Sequence, residues 1–89
     1  IKAIIVLGVN DFDLSKLKYY PNPVNDLLTI TYTDVIKNVE VFDLNGRLVI
    51  TRNFDNQTVQ IDFGNLSSGT YMLNIKTNEN SQFVKIVKK

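Results

Sequence analysis

Hydrophobic and polar residues alternate along most of this chain. Leu28, Ile30 and Tyr32 fall on one side of a run whose other side is Leu27, Thr29 and Thr31, the period of two that marks a half-buried strand. Residues 37–44 repeat the pattern, with Val39 and Val41 opposed to Glu40 and Phe42. Val59, Ile61 and Phe63 do so again, then Tyr71, Leu73 and Ile75 against Thr70, Met72, Asn74 and Lys76. Residues 18–20 and 82–88 complete the set of expected strands, and 1–7, rich in β-branched residues, reads as extended. Helical periodicity is absent. Six to eight short strands of this kind predict an all-β chain, an immunoglobulin-like antiparallel β-sandwich of about seven short strands, with a small barrel as the alternative.

Turn chemistry divides the runs. Asn45-Gly46 between two strand-like segments predicts a two-residue type I′ hairpin joining 39–44 to 47–52, because both residues tolerate positive φ. The alternation slips at Asp43-Leu44, which predicts a bulge there. Val24-Asn25-Asp26 and Thr33-Asp34 read as turns, 53–57 as a polar loop around Phe54, 64–69 as a turn cluster, and 77–81 as a loop. Pro21 and Pro23 bracket Asn22 and supply no N–H for a ladder, so they predict a stiff extended hinge at a sheet edge. Leu66-Ser67-Ser68-Gly69-Thr70-Tyr71 predicts a tyrosine corner: Tyr71 buries its ring and bonds its hydroxyl back to the turn. Gly69 there serves either a positive φ or a close backbone approach.

Composition narrows the chemistry. The 89 residues bound one small domain, and 44% apolar content argues against disorder. Ten basic residues against nine acidic ones give a net charge of +1, which offers no case for nucleic acid. With no cysteine and no histidine, thiolate nucleophiles, zinc clusters, disulfides and the usual general base are all missing. Asp11, Asp13, Asp34, Asp43, Asp55 and Asp62 reproduce no calcium loop. An enzyme is therefore not expected, nor is a cofactor. No apolar run reaches membrane-span length, so direct membrane insertion is not expected. Ile1 is not expected to be a natural start, and a signal peptide would lie upstream.

An ordered set of segments points to a family. Tyr20-Pro21-Asn22-Pro23-Val24, Leu28-Thr29-Ile30, and Val39-Glu40-Val41-Phe42-Asp43-Leu44-Asn45-Gly46-Arg47-Leu48-Val49 follow in turn. Leu66-Ser67-Ser68-Gly69-Thr70-Tyr71-Met72-Leu73-Asn74-Ile75 and the basic end Lys85-Ile86-Val87-Lys88-Lys89 come after them. Together they resemble the type A carboxy-terminal sorting domain of the type IX, or Por, secretion system of Bacteroidetes-type bacteria. The resemblance covers 18–89 and leaves 1–17 as an extended segment and linker from a preceding cargo domain. It implies a domain that folds in the periplasm and is recognised by the outer-membrane translocon and its shuttle protein. A sortase then removes it, commonly linking the cargo to anionic lipopolysaccharide at the cell surface. Cleavage would fall near or before residues 8–15.

Each candidate residue also has a plain structural reading. Pro21 and Pro23 can simply protect an edge from strand addition, or they can be recognised by the translocon, and the two roles are compatible. Gly69 and Tyr71 would look the same if they served folding alone. Lys85, Lys88 and Lys89, with Ile86 and Val87 between them, are either a solvated end or a recognition element. In the second case clustered positive charge steers docking to an acidic surface, or the last strand pairs with a partner's edge. The rival function is an extracellular binding module for carbohydrate or protein, working through the loops 53–57 and 78–81.

Overall fold

A single strand partnered along both edges organises the molecule. The computed structural model describes residues 13–89, so the expected extended segment 1–7 and the linker up to residue 12 lie outside the described residues. Five strands follow: β1 (Lys18–Tyr20), β2 (Leu27–Phe42), β3 (Leu48–Asp62), β4 (Gly69–Lys76) and β5 (Ser81–Lys88). The first half of β2 carries β1 on one edge and the end of β3 on the other. Its second half carries β4 on the edge that β1 has vacated, with β5 beyond β4. All these pairings are antiparallel, and the inner faces of both halves contribute to one buried cluster. The result is one curled five-stranded sheet instead of a sandwich of about seven short strands.

The difference in strand number has a local cause. Thr33-Asp34 does not turn the chain and 53–57 is not a loop; both lie inside long strands and face each other across an irregular ladder. Between Thr31 and Ile36 in β2 the partner strand advances only from Thr58 to Asn56, so 32–35 bulges out. Polar side chains patch the gap. Gln57 donates its amide to the Thr33 carbonyl, Lys37 pairs with Asp55 at 2.6 Å, and the Asn38 amide reaches Asn53 at 2.9 Å and the Arg52 carbonyl at 3.2 Å. Residues that resemble turn formers in sequence are the ones that repair a bulged ladder.

Next to a second shift, between Ile36 and Asn38, the side chains of β2 that face inward change parity. Leu28, Ile30, Tyr32 and Ile36 are buried on even positions; Val39 and Val41 are buried on odd ones. The bulge expected at Asp43-Leu44 lies one step earlier, between Val41 and Phe42, where Val49 is the extra residue on the facing strand. The hairpin itself is a three-residue loop, not a type I′ turn. Gly46 N–H donates to the Asp43 carbonyl at 3.0 Å, Asp43 N–H donates to the Arg47 carbonyl at 3.0 Å, and Gly46 takes φ of 82°. That is a tight turn closed by a left-handed glycine. The Asp43 carboxylate selects this form by accepting the N–H groups of Asn45 and Arg47 and the Arg47 Nε.

Elsewhere the strand expectations hold. Val59 and Ile61 of β3 and Phe63 just beyond it are buried, as are Tyr71, Leu73 and Ile75 of β4. Asn74, placed outward by alternation, is nevertheless buried on the outer face, beneath the cross-strand neighbours Glu40 and Phe83. The tyrosine corner is present: Tyr71 donates its hydroxyl to the Ser67 carbonyl at 2.7 Å, and its ring meets Phe63 edge-on at 5.8 Å. Ahead of β1, a 3-10 turn at Leu14–Lys16 is capped by Asp13, and Leu17 enters the core. Asp13 N–H donates to the Tyr32 hydroxyl at 2.7 Å, so the body of the domain grips the chain from residue 13 onward.

Two outcomes follow from the corner and the hairpin. Tyr71→Phe keeps the ring and loses one bond to an exposed turn whose carbonyl can rehydrate, so urea unfolding should show a loss of about 0.5–1.5 kcal/mol. The Asp43 carboxyl is held below the ordinary carboxylate range chiefly by the Arg47 N–H, assisted by the Asn45 N–H and the Arg47 charge. A depressed folded value means that its stabilisation is complete above about pH 4 and is lost as pH falls through the lower folded value. Protection factors for amide exchange at Asn45 and Arg47 should fall over that acid range, and Asp43→Asn should remove that fall.

Candidate functional site

The last strand presents two different faces because its residues alternate. Val84 and Ile86 turn inward, and Ile86 is 0% exposed. Its side chain is part of the core and reaches no partner while the domain is folded. Lys85, Val87 and Lys89 face outward with Phe83, whereas Lys88 lies on the opposite parity, half-buried, its Nζ donating to the Lys89 carbonyl at 3.2 Å. The basic end is therefore not one patch: Lys85 and Lys89 share a face and Lys88 does not. Neither Lys85 nor Lys89 forms a salt bridge among the described residues, whose pairs are Lys37–Asp55, Arg47–Asp43 and Lys76–Glu40.

The proline segment is the surprise of this region. Pro21 and Pro23 are exposed and both follow cis peptide bonds. The expected extended hinge is instead a bent segment with a single bridging residue, Val24; it does lie at a sheet edge, and that edge belongs to β5. Val24 forms an isolated parallel bridge with Lys88. Its N–H donates to the Val87 carbonyl and its carbonyl accepts from Lys89 N–H, both at 2.8 Å. Asn22 Oδ1 accepts the Val87 N–H at 3.0 Å. Val24, 0% exposed, seals the end of the core beneath this contact. Residues near the beginning of the domain thus cover the terminal part of its last strand.

Gly69 sits opposite Lys88 at the same end, with φ of 150° and nothing within 4 Å of where a Cβ would stand. The positive φ, not close packing, is what calls for glycine there. Tyr71 is the corner residue and is buried. The structure thus brings Pro21, Pro23, Gly69, Ile86, Val87, Lys88 and Lys89 to one end of the domain, with Lys85 further along β5. Asn22 and Val24 complete the arrangement, and sequence reasoning missed them. Their only signal is position between and after the prolines, which cannot reveal a partner more than sixty residues away in the chain.

Beside this end lies an apolar depression of about 420 Å³ on the outer face, lined by Phe42, Asp43, Leu44, Gly46, Met72 and Phe83. The Phe42 and Phe83 rings lean together at 6.2 Å. A second depression, about 260 Å³, is lined by Asp34, Val35, Thr77, Asn78 and Glu79. Among the described residues no group of His, Cys, Asp or Glu side chains could hold a metal ion, and no helix is long and apolar enough to cross a membrane.

An all-β chain whose last strand is locked by a proline-bounded segment is a small self-closing module. A family model described as the secretion system C-terminal sorting domain matches residues 18–89, and the chain belongs to that family, the tail domains of type IX (Por) secretion. The fold is similar to part of a structure titled "Structural and functional probing of PorZ, an essential bacterial surface component of the type-IX secretion system of human oral-microbiomic Porphyromonas gingivalis". The likeness has a TM-score of 0.69 at 23% identity over 85% of this chain, and spans 12% of that one. No curated protein matches the chain.

The closure generates its own test. Asn22→Ala removes the side chain that satisfies the Val87 N–H at an exposed edge, so a loss of about 0.5–1.5 kcal/mol is expected. Hydrogen exchange should accelerate at Val87 and Lys89 and stay unchanged at Leu73 in β4. Uniform acceleration across the sheet would show that Asn22 supports the whole fold and not this edge.

Proposed function

We propose that residues 18–89 are the C-terminal signal that directs an upstream cargo through the type IX outer-membrane translocon. A shuttle protein and the translocon recognise the folded domain, and a sortase removes it at the cell surface, so the cargo ends on the surface or outside the cell. The family match over 18–89 carries this reading. The Asp13 N–H and Leu17 are committed to the body of the domain, which supports a cut upstream of them. The domain is read as a signal and not an enzyme, with no cofactor. The binding-module alternative loses one of its two expected loops, since 53–57 lies within β3.

A secretion assay in a host with a working type IX apparatus tests this. The whole chain is fused behind a signal peptide and a fluorescent reporter. Ending the chain at Val84 would confuse two effects, since it also deletes buried Ile86 and the bonds to Val24. The sharper variant is Lys85→Glu with Lys88→Glu and Lys89→Glu, which leaves the core intact and is checked for folding by circular dichroism. The parent fusion should reach the surface with the domain cut away, and the folded triple variant should stay in the periplasm. A parent fusion retained in the periplasm, or exported uncut, would overturn the sorting reading. Equal export of the triple variant would remove the lysines from the signal.

A further inference from the structure

We infer that the free part of the β5 edge, from Ser81 to Lys85, is a docking site for an extended partner strand of acidic–x–apolar pattern, added antiparallel to β5. Along β5, Val87 and Lys89 turn their backbone groups to the outer edge, where Val24 and Asn22 take them. Residues of the same parity, Ser81, Phe83 and Lys85, must turn theirs to that edge as well. No described segment pairs there. The Phe83 carbonyl is covered only by its neighbour's side chain, Gln82 Nε2 at 3.0 Å, an exposed cap that a ladder bond can replace. The edge therefore already accepts one extended segment by main-chain bonds and stops being occupied at Lys85.

The outward side chains state what the partner carries. A residue laid opposite Phe83 and one laid opposite Lys85 are two apart on the added strand, and both project to the outer face. Phe83 is 52% exposed, and a bulky apolar residue covers its open flank. Among the described residues Lys85 has no acidic partner, and Glu40 and Asp43 are paired with Lys76 and Arg47. A carboxylate opposite Lys85 completes the pair. A lysine on an edge is also a common guard against pairing, but a guarded edge has no use for an exposed phenyl ring beside the guard. Strand addition of this kind draws its affinity from the ladder and its specificity from alternate side chains. The partner's identity as part of the secretion apparatus rests on the sorting reading; the docking chemistry does not.

The test uses the purified full chain and a synthetic peptide, acetyl-Thr-Glu-Thr-Leu-Thr-amide, followed by amide NMR. Shift changes and slowed exchange are expected at Ser81, Phe83 and Lys85. The isomer acetyl-Thr-Glu-Leu-Thr-Thr-amide, which puts Glu and Leu on opposite faces, should bind roughly three- to tenfold more weakly. Lys85→Glu should lose the first peptide and gain its Lys-for-Glu counterpart. No binding, equal binding of the two isomers, perturbation centred on Leu44 and Met72 instead, or an unchanged affinity in Lys85→Glu would each overturn the proposal. None of these outcomes depends on a secretion apparatus, so failure here leaves the sorting reading standing, and failure of export leaves the peptide result standing.

Discussion

A strand with a period of two can face only one side, yet β2 must line a core that wraps around it. A change of buried parity between Ile36 and Val39, within the irregular stretch of the ladder, resolves this constraint. Before it, even-numbered residues are buried; after it, Val39 and Val41 are. A regular ladder would have turned both valines to solvent and left Ile75 and Leu73 without their cross-strand partners in β4. The cost is an irregular stretch with polar groups to satisfy. Asn38, Lys37, Gln57 and Asp55 supply most of what the ladder lacks, though the Asn38 Oδ1 is left without a partner.

Once the sheet curls, its last strand meets its first residues. β5 lies on the far side of β4, an edge with no neighbour until the segment after Pro21 reaches it. Prolines suit this place because the segment needs only a few bonds, and those fall on the Asn22 side chain and the Val24 main chain. The hinge protects an edge, as its residues suggest, but the edge is at the opposite end of the chain. A contact spanning 65 residues couples the integrity of β5 to residues near the start of the domain.

Much of this was legible in the chain. The inward residues Val59, Ile61 and Phe63, those of β4, the presence of a last strand, the corner at Tyr71 and the turn near Gly46 all follow from periodicity and local turn chemistry. What misled was the polar content of 33–38 and 53–57. Asn, Asp and Thr favour turns because their side chains bond nearby backbone, and the same ability lets them mend a bulge between two strands. Local sequence cannot separate the two uses. Reading these patches as turns splits β2 and β3 into two strands each, which is how five strands become seven. The loop around Gly46 was misassigned for a similar reason: Asp43 sets its length from outside the Asn-Gly pair. The arrangement of the candidate residues was not legible: alternation sends Lys88 away from Lys85 and Lys89, and Ile86 into the core.

Alternation also explains why structure and signal are hard to separate in the last strand. Each step along β5 moves from a residue that holds the strand down to one that displays something. Val84 and Ile86 anchor it, while Phe83, Lys85 and Val87 occupy the positions between. Any deletion from this end removes both kinds together, so loss of function after truncation says little about recognition. Substitution of outward residues alone leaves Val84, Ile86 and the bonds to Val24 in place. An unfolded chain carries the same lysines without holding them at fixed spacing or offering a ladder beside them. A partner that reads backbone and side chains together can therefore bind only after β5 has been pinned between β4 and Val24, which makes recognition of this strand conditional on a folded domain.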